Sequence, residues 1–246
     1  MSGNGRLKKL KIGILGGRGY LGASLQNAIV GEGTSFILLP REFNPRHVSS
    51  NIDLVIDAGF PRDIHNRRVY EEYFKNLTKR IKYYRALKIP YIYFGSLSSH
   101  STTMSRYGLA KREAERLVLS QGGKVIRFGL IVDTKKSGGR YLELLEVFNK
   151  MPFLFLPHPS YFPIGITTLD EFISRVKCLL VEKETVVNNF MAPVEWTNLN
   201  SLARKSTNKK IITIPAVFTL AICKIIRVLP LGKIDNLKGI AFKALS

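Results

Sequence analysis

Short runs of apolar residues alternate with longer segments of helical periodicity along the first half of the chain. The apolar runs predict buried strands at residues 11–15, 36–39, 53–57, 91–94 and 125–128. Apolar residues at helical spacing between these runs predict helices over about 20–30, 69–87 and 106–120. Because strands and helices alternate, we expect right-handed crossovers and parallel strands in one sheet with helices on both faces. The predicted fold class is α/β, a doubly wound parallel sheet.

The pattern becomes irregular after about Asp133. The stretch from Lys135 to Arg140 is basic and contains two glycines, which predicts a flexible loop, and four prolines interrupt the segment between 152 and 163. Helical spacing returns at about 169–181 and 214–228. We therefore predict a sheet domain over residues 1–133 and a small C-terminal lobe over 134–246, packed on the sheet domain as a single compact unit.

Charge is the least ordinary property of the composition. Apolar residues make up 45% of the chain, as in other globular proteins, but 38 Lys and Arg against 18 Asp and Glu give a net charge of +20. Such a field attracts phosphorylated cofactors and substrates, nucleic acid or acidic membranes. The sequence contains no helix-turn-helix, zinc pattern or aromatic platform, so we expect no nucleic acid partner and no metal. The basic run at 79–82 is expected on a solvated helix face.

Cysteine usage and the apolar stretches bear on the compartment. Cys178 and Cys223 lie far apart in apolar contexts, which predicts a reducing compartment, and no signal-peptide core is recognisable, so a cytoplasmic location is expected. The apolar stretch 211–231 includes Lys224 and Arg227, which argues against a spanning helix. Two alternatives remain open for it: a helix capping the C-terminal lobe, or an amphipathic helix in peripheral contact with an acidic membrane.

A glycine-rich turn joins the first predicted strand to the first predicted helix. Its residues are Gly16, Gly17, Arg18, Gly19, Tyr20, Leu21 and Gly22. Glycines at this spacing let a pyrophosphate approach the backbone N–H groups at a helix N-terminus, where a Cβ would block it. We interpret the turn as a dinucleotide-binding loop, with an ordinary tight turn as the alternative.

The end of the second predicted strand bears on which dinucleotide binds. An acidic residue there accepts the ribose hydroxyls of NAD, whereas an arginine accommodates the additional phosphate of NADP. Arg41 stands at this place and favours NADP, with Arg18 able to assist. Glu42 would serve NAD if the register were one residue different. NADP and NAD both remain open, and NADP is favoured.

Tyr107 and Lys111 lie four residues apart near the start of a predicted helix and therefore share one face. A nearby ammonium favours the phenolate and brings the tyrosine pKa from about 10 towards neutrality, which suits a proton donor and acceptor. The preceding strand ends near Ser96, which would bind the reacting oxygen; Ser98 is the alternative. We predict Tyr107, Lys111 and Ser96 as catalytic residues. An exposed Tyr and Lys on a solvated face is the competing interpretation.

These motifs make the chain resemble the extended short-chain dehydrogenase/reductase superfamily, in its branch of NAD(P)-dependent sugar epimerases and dehydratases. The matching segments are 16–22, 53–59, 91–99, 107–111 with Glu115, 125–130 and, weakly, 234–239. The resemblance implies a Rossmann-type fold whose C-terminal lobe binds substrate, and Lys111 also holding the nicotinamide ribose. Ala58 and Gly59, which end one of the segments, join the predicted cofactor-binding residues together with Tyr107 and Lys111.

The chain also departs from the family. The acidic residue after the second strand is missing, and only residues 43–52 separate that strand from the next, so the usual third strand is shortened or absent. The spacing from Ser96 to Tyr107 is tighter than is common, and Phe128 stands where the family usually has proline. These features indicate a compact member.

The resemblance implies an NAD(P)-dependent oxidoreductase or epimerase acting on a nucleotide- or diphosphate-activated sugar, in the assembly of surface polysaccharide. Tyr107 would be the acid/base in hydride transfer. The alternatives are an NADPH-dependent keto-sugar reductase and a non-catalytic dinucleotide-binding regulatory protein. The expected partners are a small anionic sugar substrate and, from the family, a second copy of the chain in a homodimer.

Overall fold

The structure is a computed structural model that describes residues 10–29, 33–47, 51–100, 105–133, 139–158, 163–181, 189–191 and 194–215. Its residues form two compact units, each discontinuous in sequence. The first comprises the described residues within Met1–Gly95, Arg112–Arg127 and Asp170–Ala192. The second comprises those within Ser96–Lys111, Phe128–Leu169 and Pro193–Ser246.

Strands and helices alternate through most of the described chain. The strands are β1 (Leu10–Leu15), β2 (Thr34–Leu39), β3 (Leu54–Asp57), β4 (Tyr91–Phe94), β5 (Lys124–Arg127), β6 (Leu130–Val132), β7 (Leu154–Pro157), β8 (Pro163–Thr168), β9 (Asn189–Met191), β10 (Glu195–Asn198) and β11 (Ile211–Ile214). The helices are α1 (Tyr20–Ile29), α2 (Arg67–Ala86), α3 (Arg106–Ser120), α4 (Gly139–Lys150), α5 (Leu169–Val181) and α6 (Leu199–Ser206).

The first unit is built on a six-stranded parallel sheet with the order β2-β1-β3-β4-β5-β9. All residues of β3 and β4 are buried, which is typical of parallel strands covered on both faces. The chain passes from β1 outwards to β2 and then returns to the opposite side of β1 as β3. This reversal defines a topological switch point, beside which open parallel sheets bind their ligands. The predicted doubly wound, Rossmann-type α/β fold is confirmed.

The connection between β2 and β3 is short. Among its described residues it contains a 3-10 turn (Pro45–His47) and no strand. Within the described chain β2 is therefore the edge of the sheet, as the shortened connection in the sequence predicted.

Helix α2 shows how local sequence sets an element's limits. Its N-cap, Asn66, accepts hydrogen bonds from the N–H groups of Arg68 and Val69, which satisfies two otherwise unpaired donors. The helix ends at Ala86, and Lys88 follows with a positive φ of 55° just before Pro90. It begins two residues earlier than hydrophobic spacing predicted, because Asn66 and not the first apolar residue sets the beginning.

The second unit contains two small sheets, β10-β8-β6 and β11-β7. Strand β8 pairs antiparallel with β10 and parallel with β6, and β7 pairs parallel with β11. Side chains from α4, α6, β7 and β8 form its core: Leu144, Phe148, Leu154, Leu156, Ile166, Leu199, Leu202 and Ala203. At Gly129 a Cβ would lie 2.0 Å from the carbonyl oxygen of Gly165, so glycine is required where these two backbones meet.

Two local predictions for the second half are wrong. Gly139 and Arg140 begin helix α4 and do not belong to a loop. Ile214 ends strand β11 and does not start a helix, because the β-branched residues of 211–214 pair with β7. The remainder of the predicted helix 214–228, with Cys223 and segment 234–239, lies outside the described residues beyond 215.

Candidate functional site

The glycine loop connects β1 to α1 at the switch point of the first unit. Gly16 adopts a positive φ of 69°, a conformation that glycine accepts without strain. The N–H of Gly19 donates to the carbonyl oxygen of Gly16 at 2.9 Å, and that of Ala23 donates to the carbonyl of Gly19 at 2.8 Å. These bonds close a tight turn that leads directly into the first helical turn.

Backbone atoms leave no room for a Cβ at Gly16 and Gly22, and at Gly17 a Cβ would displace a side chain. A Cβ on Gly22 would lie 2.4 Å from the Gly16 oxygen, and one on Gly17 would lie 2.5 Å from a methyl group of Leu38. A Cβ on Gly16 would lie 2.7 Å from the oxygen of Ala58. The loop therefore consists of bare backbone beside the helix N-terminus, which is the arrangement a pyrophosphate needs. The residues present fit a dinucleotide here.

The other predicted loop residues surround this backbone. The side chain of Arg18 is exposed, while Tyr20 and Leu21 are partly buried at the start of α1. Arg18 thus presents its positive charge to solvent next to the helix N-terminus, whose partial positive charge it reinforces.

Gln26 supports the loop from within α1, a role that the glycine pattern did not predict. Its side-chain amide donates to the carbonyl oxygens of Gly17 at 2.7 Å and Gly22 at 3.0 Å. The amide thereby ties the carbonyls at both ends of the loop to the first turns of α1. Helical spacing offered a signal, because Gln26 lies four residues after Gly22 and therefore one turn along the same face.

Ala58 and Gly59 follow β3 directly beside the glycine loop. The N–H of Ala58 donates to the carbonyl oxygen of Leu15 at 3.0 Å, which extends the pairing of β1 and β3 to the loop itself. The N–H of Gly59 donates to the carboxylate of Asp57 at 2.9 Å. Both predicted cofactor residues therefore lie at the switch point.

Asp57 is the centre of a buried polar cluster that the sequence did not predict. Its carboxylate is fully buried and accepts hydrogen bonds from the Tyr91 hydroxyl and from Arg80 at 3.2 Å. Arg80 was expected on a solvated helix face, but only 4% of it is exposed. The reason is its position on α2, where it shares a face with the buried Leu77 and Tyr84.

The two partners of Asp57 keep their protonated forms. Burial by itself lowers the pKa of Arg80, but Asp57, Tyr91 and Tyr73 together outweigh burial and raise that pKa above its ordinary value. Burial, followed by the negative charge of Asp57, holds the pKa of Tyr91 well above 10. Arg80 is therefore a cation and Tyr91 a hydrogen-bond donor at any physiological pH.

Arg41 lies two residues after β2, and its side chain is exposed. Its carbonyl oxygen accepts a hydrogen bond from Arg80 at 3.2 Å. The N–H of Phe43 donates to the side-chain oxygen of Asn76 at 3.1 Å, and the Phe43 ring packs edge-on against Tyr83 with centroids 5.3 Å apart. Helix α2 thus holds the backbone on both sides of Glu42 while the side chain of Arg41 faces solvent.

The predicted catalytic residues belong to the second unit. Tyr107 and Lys111 lie one turn apart on α3, with Tyr107 partly buried and Lys111 only 5% exposed. Ser96 follows β4 by two residues and is buried, and its hydroxyl oxygen accepts from the N–H of Ser98 at 3.2 Å. A buried lysine argues against the interpretation of this pair as a solvated helix face.

Serine hydroxyl groups form hydrogen bonds with the backbone both in the turn after β4 and at the start of α3. Ser105 is buried and caps α3, because its hydroxyl oxygen accepts from the N–H of Gly108 at 3.0 Å. The hydroxyl of Ser99 donates to the carbonyl oxygen of Ser96 at 2.6 Å, which fixes the short 3-10 turn after β4. Ser98, the alternative to Ser96, is equally buried.

A buried ion pair in the first unit stabilises the end of β4. The Glu115 carboxylate, 1% exposed, accepts from Arg127 at 2.7 Å. A Cβ on Gly95 would lie 2.5 Å from this carboxylate, so a larger residue there would displace Glu115 from its ion pair. The sequence resemblance included Glu115 without a role; the structure gives it this structural one.

Membrane-spanning helices and metal clusters are both missing from the described residues. No helix among them is long and apolar enough to span a bilayer. They also contain no group of three or more His, Cys, Asp or Glu side chains arranged to hold a metal ion.

Comparison with known proteins identifies the class of fold. No protein-family model matches the chain, and no curated protein matches it in sequence. Solved structures match at low identity over most of the chain. A UDP-N-acetylglucosamine 4-epimerase from Bacillus cereus matches with a TM-score of 0.61 and 18% identity, covering 84% of this chain and 85% of that one.

Two further structures were obtained with dinucleotides. The dTDP-4-dehydrorhamnose reductase from Bacillus anthracis, in complex with NADP, has a TM-score of 0.64 and 10% identity, covering 85% of this chain and 86% of its own. The UDP-glucuronic acid 4-epimerase from Bacillus cereus, in complex with NAD, has a TM-score of 0.62 and 13% identity, covering 84% and 86%. The chain therefore has the fold of these extended short-chain dehydrogenase/reductase enzymes, as the sequence resemblance implied.

Proposed function

We propose that the protein is an NAD(P)-dependent oxidoreductase or epimerase acting on a nucleotide- or diphosphate-activated sugar. The observation that carries the proposal is the glycine loop at the switch point, where bare backbone, a helix N-terminus and exposed Arg18 fit a dinucleotide pyrophosphate. The fold is shared with sugar-nucleotide epimerases and reductases, which supports this class of substrate.

Tyr107, Lys111 and Ser96 are the residues we assign to catalysis. Tyr107 would transfer a proton to or from a sugar oxygen, and the Lys111 ammonium would stabilise its phenolate. Ser96 would bind the same sugar oxygen, and Lys111 would also hold the nicotinamide ribose. When bound, the nicotinamide supplies or accepts the hydride.

A keto-sugar reductase that uses NADPH is the second candidate. It is favoured by Arg41, whose exposed guanidinium at the carboxyl end of β2 suits the additional phosphate of NADP. A reductase consumes and releases its cofactor, whereas an epimerase returns the hydride and keeps NAD bound.

Mass spectrometry of the purified protein separates these two candidates. Co-purifying NAD would support the epimerase, and co-purifying NADP would support the reductase. A protein isolated without dinucleotide that then binds NADPH more tightly than NADH would also support the reductase. Failure to bind either nucleotide would contradict the proposed function.

Replacing Tyr107→Phe tests the catalytic assignment. We expect dinucleotide affinity within about twofold of the original and turnover reduced by at least about a hundredfold, because general acid–base catalysis contributes about 10²–10⁴. The assay is absorbance at 340 nm or epimer analysis with a panel of UDP- and dTDP-sugars. Dinucleotide binding without turnover of any sugar by the original protein would favour the non-catalytic regulatory protein.

The matched control is Tyr141→Phe, which removes another tyrosine hydroxyl of the second unit, one that lies 3.2 Å from Ser206. This variant should retain turnover. If Tyr107→Phe turns over the sugar as fast as Tyr141→Phe does, Tyr107 is not the acid/base.

A further inference from the structure

Helix α2 fastens the loop after β2 at two points one helical turn apart. Asn76 accepts the N–H of Phe43, and Arg80 donates to the carbonyl oxygen of Arg41. We propose that Asn76 and Arg80 are positioning residues that set the preference between dinucleotides with and without a 2′-phosphate. The inference rests on the proposed dinucleotide function and adds to it the residues that determine its specificity.

The short connection between β2 and β3 creates the need for such a clamp. Strand β2 is the last strand on its side of the described sheet, so no further strand there holds the segment after it. A loop of this kind is mobile unless other groups bind its backbone. Asn76 and Arg80 supply two such bonds, and the Phe43 ring against Tyr83 adds an apolar contact.

The clamp acts on the backbone and leaves the specificity-determining side chain available. Its two bonds reach the carbonyl of Arg41 and the N–H of Phe43, which lie on either side of Glu42. The side chains of Arg41 and Glu42 are both exposed. The clamp therefore fixes the backbone from which each of these two opposite charges extends towards a ribose or its phosphate.

Arg80 also connects this loop to the switch point. One of its terminal nitrogens donates to Arg41 and the other to the buried carboxylate of Asp57, which in turn accepts from Gly59. A lysine has a single nitrogen and cannot reproduce the fixed fork with which a guanidinium reaches two acceptors. The Arg80 guanidinium thus holds the loop after β2 in a constant relation to the loop after β3.

Because the backbone of Arg41 is held before the ligand binds, less conformational entropy is lost when Arg41 meets a 2′-phosphate. The benefit applies only to a ligand that carries this phosphate. Loss of the clamp should therefore change the ratio of two affinities, whereas general damage to the fold would lower both affinities together.

The experiment measures, by isothermal titration calorimetry, the dissociation constants of 2′,5′-ADP and 5′-AMP. The original protein should prefer 2′,5′-ADP. Asn76→Ala should raise the dissociation constant of 2′,5′-ADP about three- to tenfold, which corresponds to the loss of one hydrogen bond. The dissociation constant of 5′-AMP should stay within about twofold of its original value. Asn76→Asp retains an acceptor oxygen for the N–H of Phe43 and should restore the ratio. Arg80→Lys should shift the ratio in the same direction as Asn76→Ala.

Tyr91→Phe is the matched control for Arg80. It removes the hydroxyl bonded to Asp57 and destabilises the same buried cluster, but it leaves the bond from Arg80 to Arg41. Its affinity ratio should equal that of the original protein. Asn76 is only partly buried, so its variants test the proposal even if Arg80→Lys fails to fold.

The outcomes distinguish this inference from the function on which it rests. If Asn76→Ala leaves the ratio unchanged, or if Tyr91→Phe shifts it equally, the positioning role is overturned. If the original protein binds both fragments with equal affinity, Arg41 does not determine specificity and this inference is wrong, while the proposal of dinucleotide binding is unaffected. If it binds neither fragment, the proposed function fails as well.

Discussion

Position 22 is glycine for a steric reason. The backbone of Gly16 and Gly17 already occupies the space that a Cβ would need, at 2.4 and 2.7 Å. Inside a helix, alanine is otherwise better than glycine by about 0.5–1 kcal/mol. Glycine is retained here in spite of this propensity, so the close approach of loop and helix outweighs it.

We therefore expect Gly22→Ala to displace the glycine loop. Dinucleotide affinity should fall by at least about tenfold, which corresponds to about 1.4 kcal/mol, because the N–H groups that meet the pyrophosphate move with the loop. Calorimetric titration with NADP and NAD measures the change. Ser24→Ala, on the same helix, is the control and should bind as the original protein does. Unchanged affinity in Gly22→Ala would show that the loop does not bind the dinucleotide.

Individual residues also mark where the sequence was insufficient. The glycine spacing identified the loop, because a position without room for a Cβ must be glycine, and glycines are visible in the sequence. Asp57, Arg80 and Asn76 left no such trace, because Arg80 lies 23 residues from Asp57 and 39 from Arg41, and Asn76 lies 33 residues from Phe43. A basic residue within the run 79–82 is indistinguishable from its solvated neighbours until the buried face of α2 is known.

At the scale of elements, the start of α3 determines where Tyr107 and Lys111 lie. Ser105 sets this start by capping the helix through the N–H of Gly108. The cap is buried, so water does not replace a lost bond easily, and removing it leaves a buried donor unsatisfied.

Ser105→Ala should lower the free energy of unfolding by about 1–2 kcal/mol. Because the first turn of the helix also loosens, turnover should decrease more than dinucleotide affinity does. Urea denaturation and steady-state kinetics on the same preparation test both effects. Ser120→Ala is the comparison at the exposed end of the same helix, where it removes a bond to Leu117, and it should change neither quantity appreciably. Equal effects of the two substitutions would contradict a specific role for the cap.

Elements with strong local signals agreed with their predicted limits. Strand β4 and helices α3 and α5 have the bounds that hydrophobic spacing predicted, because each is an apolar pattern closed by polar, proline or glycine residues. The prediction failed at Ile214, although Pro215 directly after it disfavours a helical conformation for Ile214 and marks a boundary there. Residues 211–214 form a strand because they pair with β7, and this pairing cannot be inferred from one segment alone.

At the scale of the whole molecule, charge is the dominant property. A net charge of +20 on 246 residues attracts dinucleotides and nucleotide sugars over distances longer than any single contact. Salt screens such attraction, with a Debye length of about 30 Å at 0.01 M and about 8 Å at 0.15 M.

We expect the association rate for NADP to fall about tenfold or more between these two salt concentrations, because electrostatic steering can contribute factors of about 10–10³. Stopped-flow measurements provide the rates. Uncharged adenosine is the control ligand, and its affinity should not depend on salt. An NADP association rate that is independent of salt would mean that the positive charges are not arranged around its binding site.

The buried cluster at Asp57 has a consequence for how the protein is made. Its hydrogen bonds join positions 41, 57, 80 and 91, so it closes only after β4 has been added to the sheet. Until that moment on the ribosome, the glycine loop has been synthesised, but the loop after β2 is not yet joined to a complete buried cluster. A nascent chain therefore completes this cluster only after Tyr91 has emerged and joined Asp57 in the core.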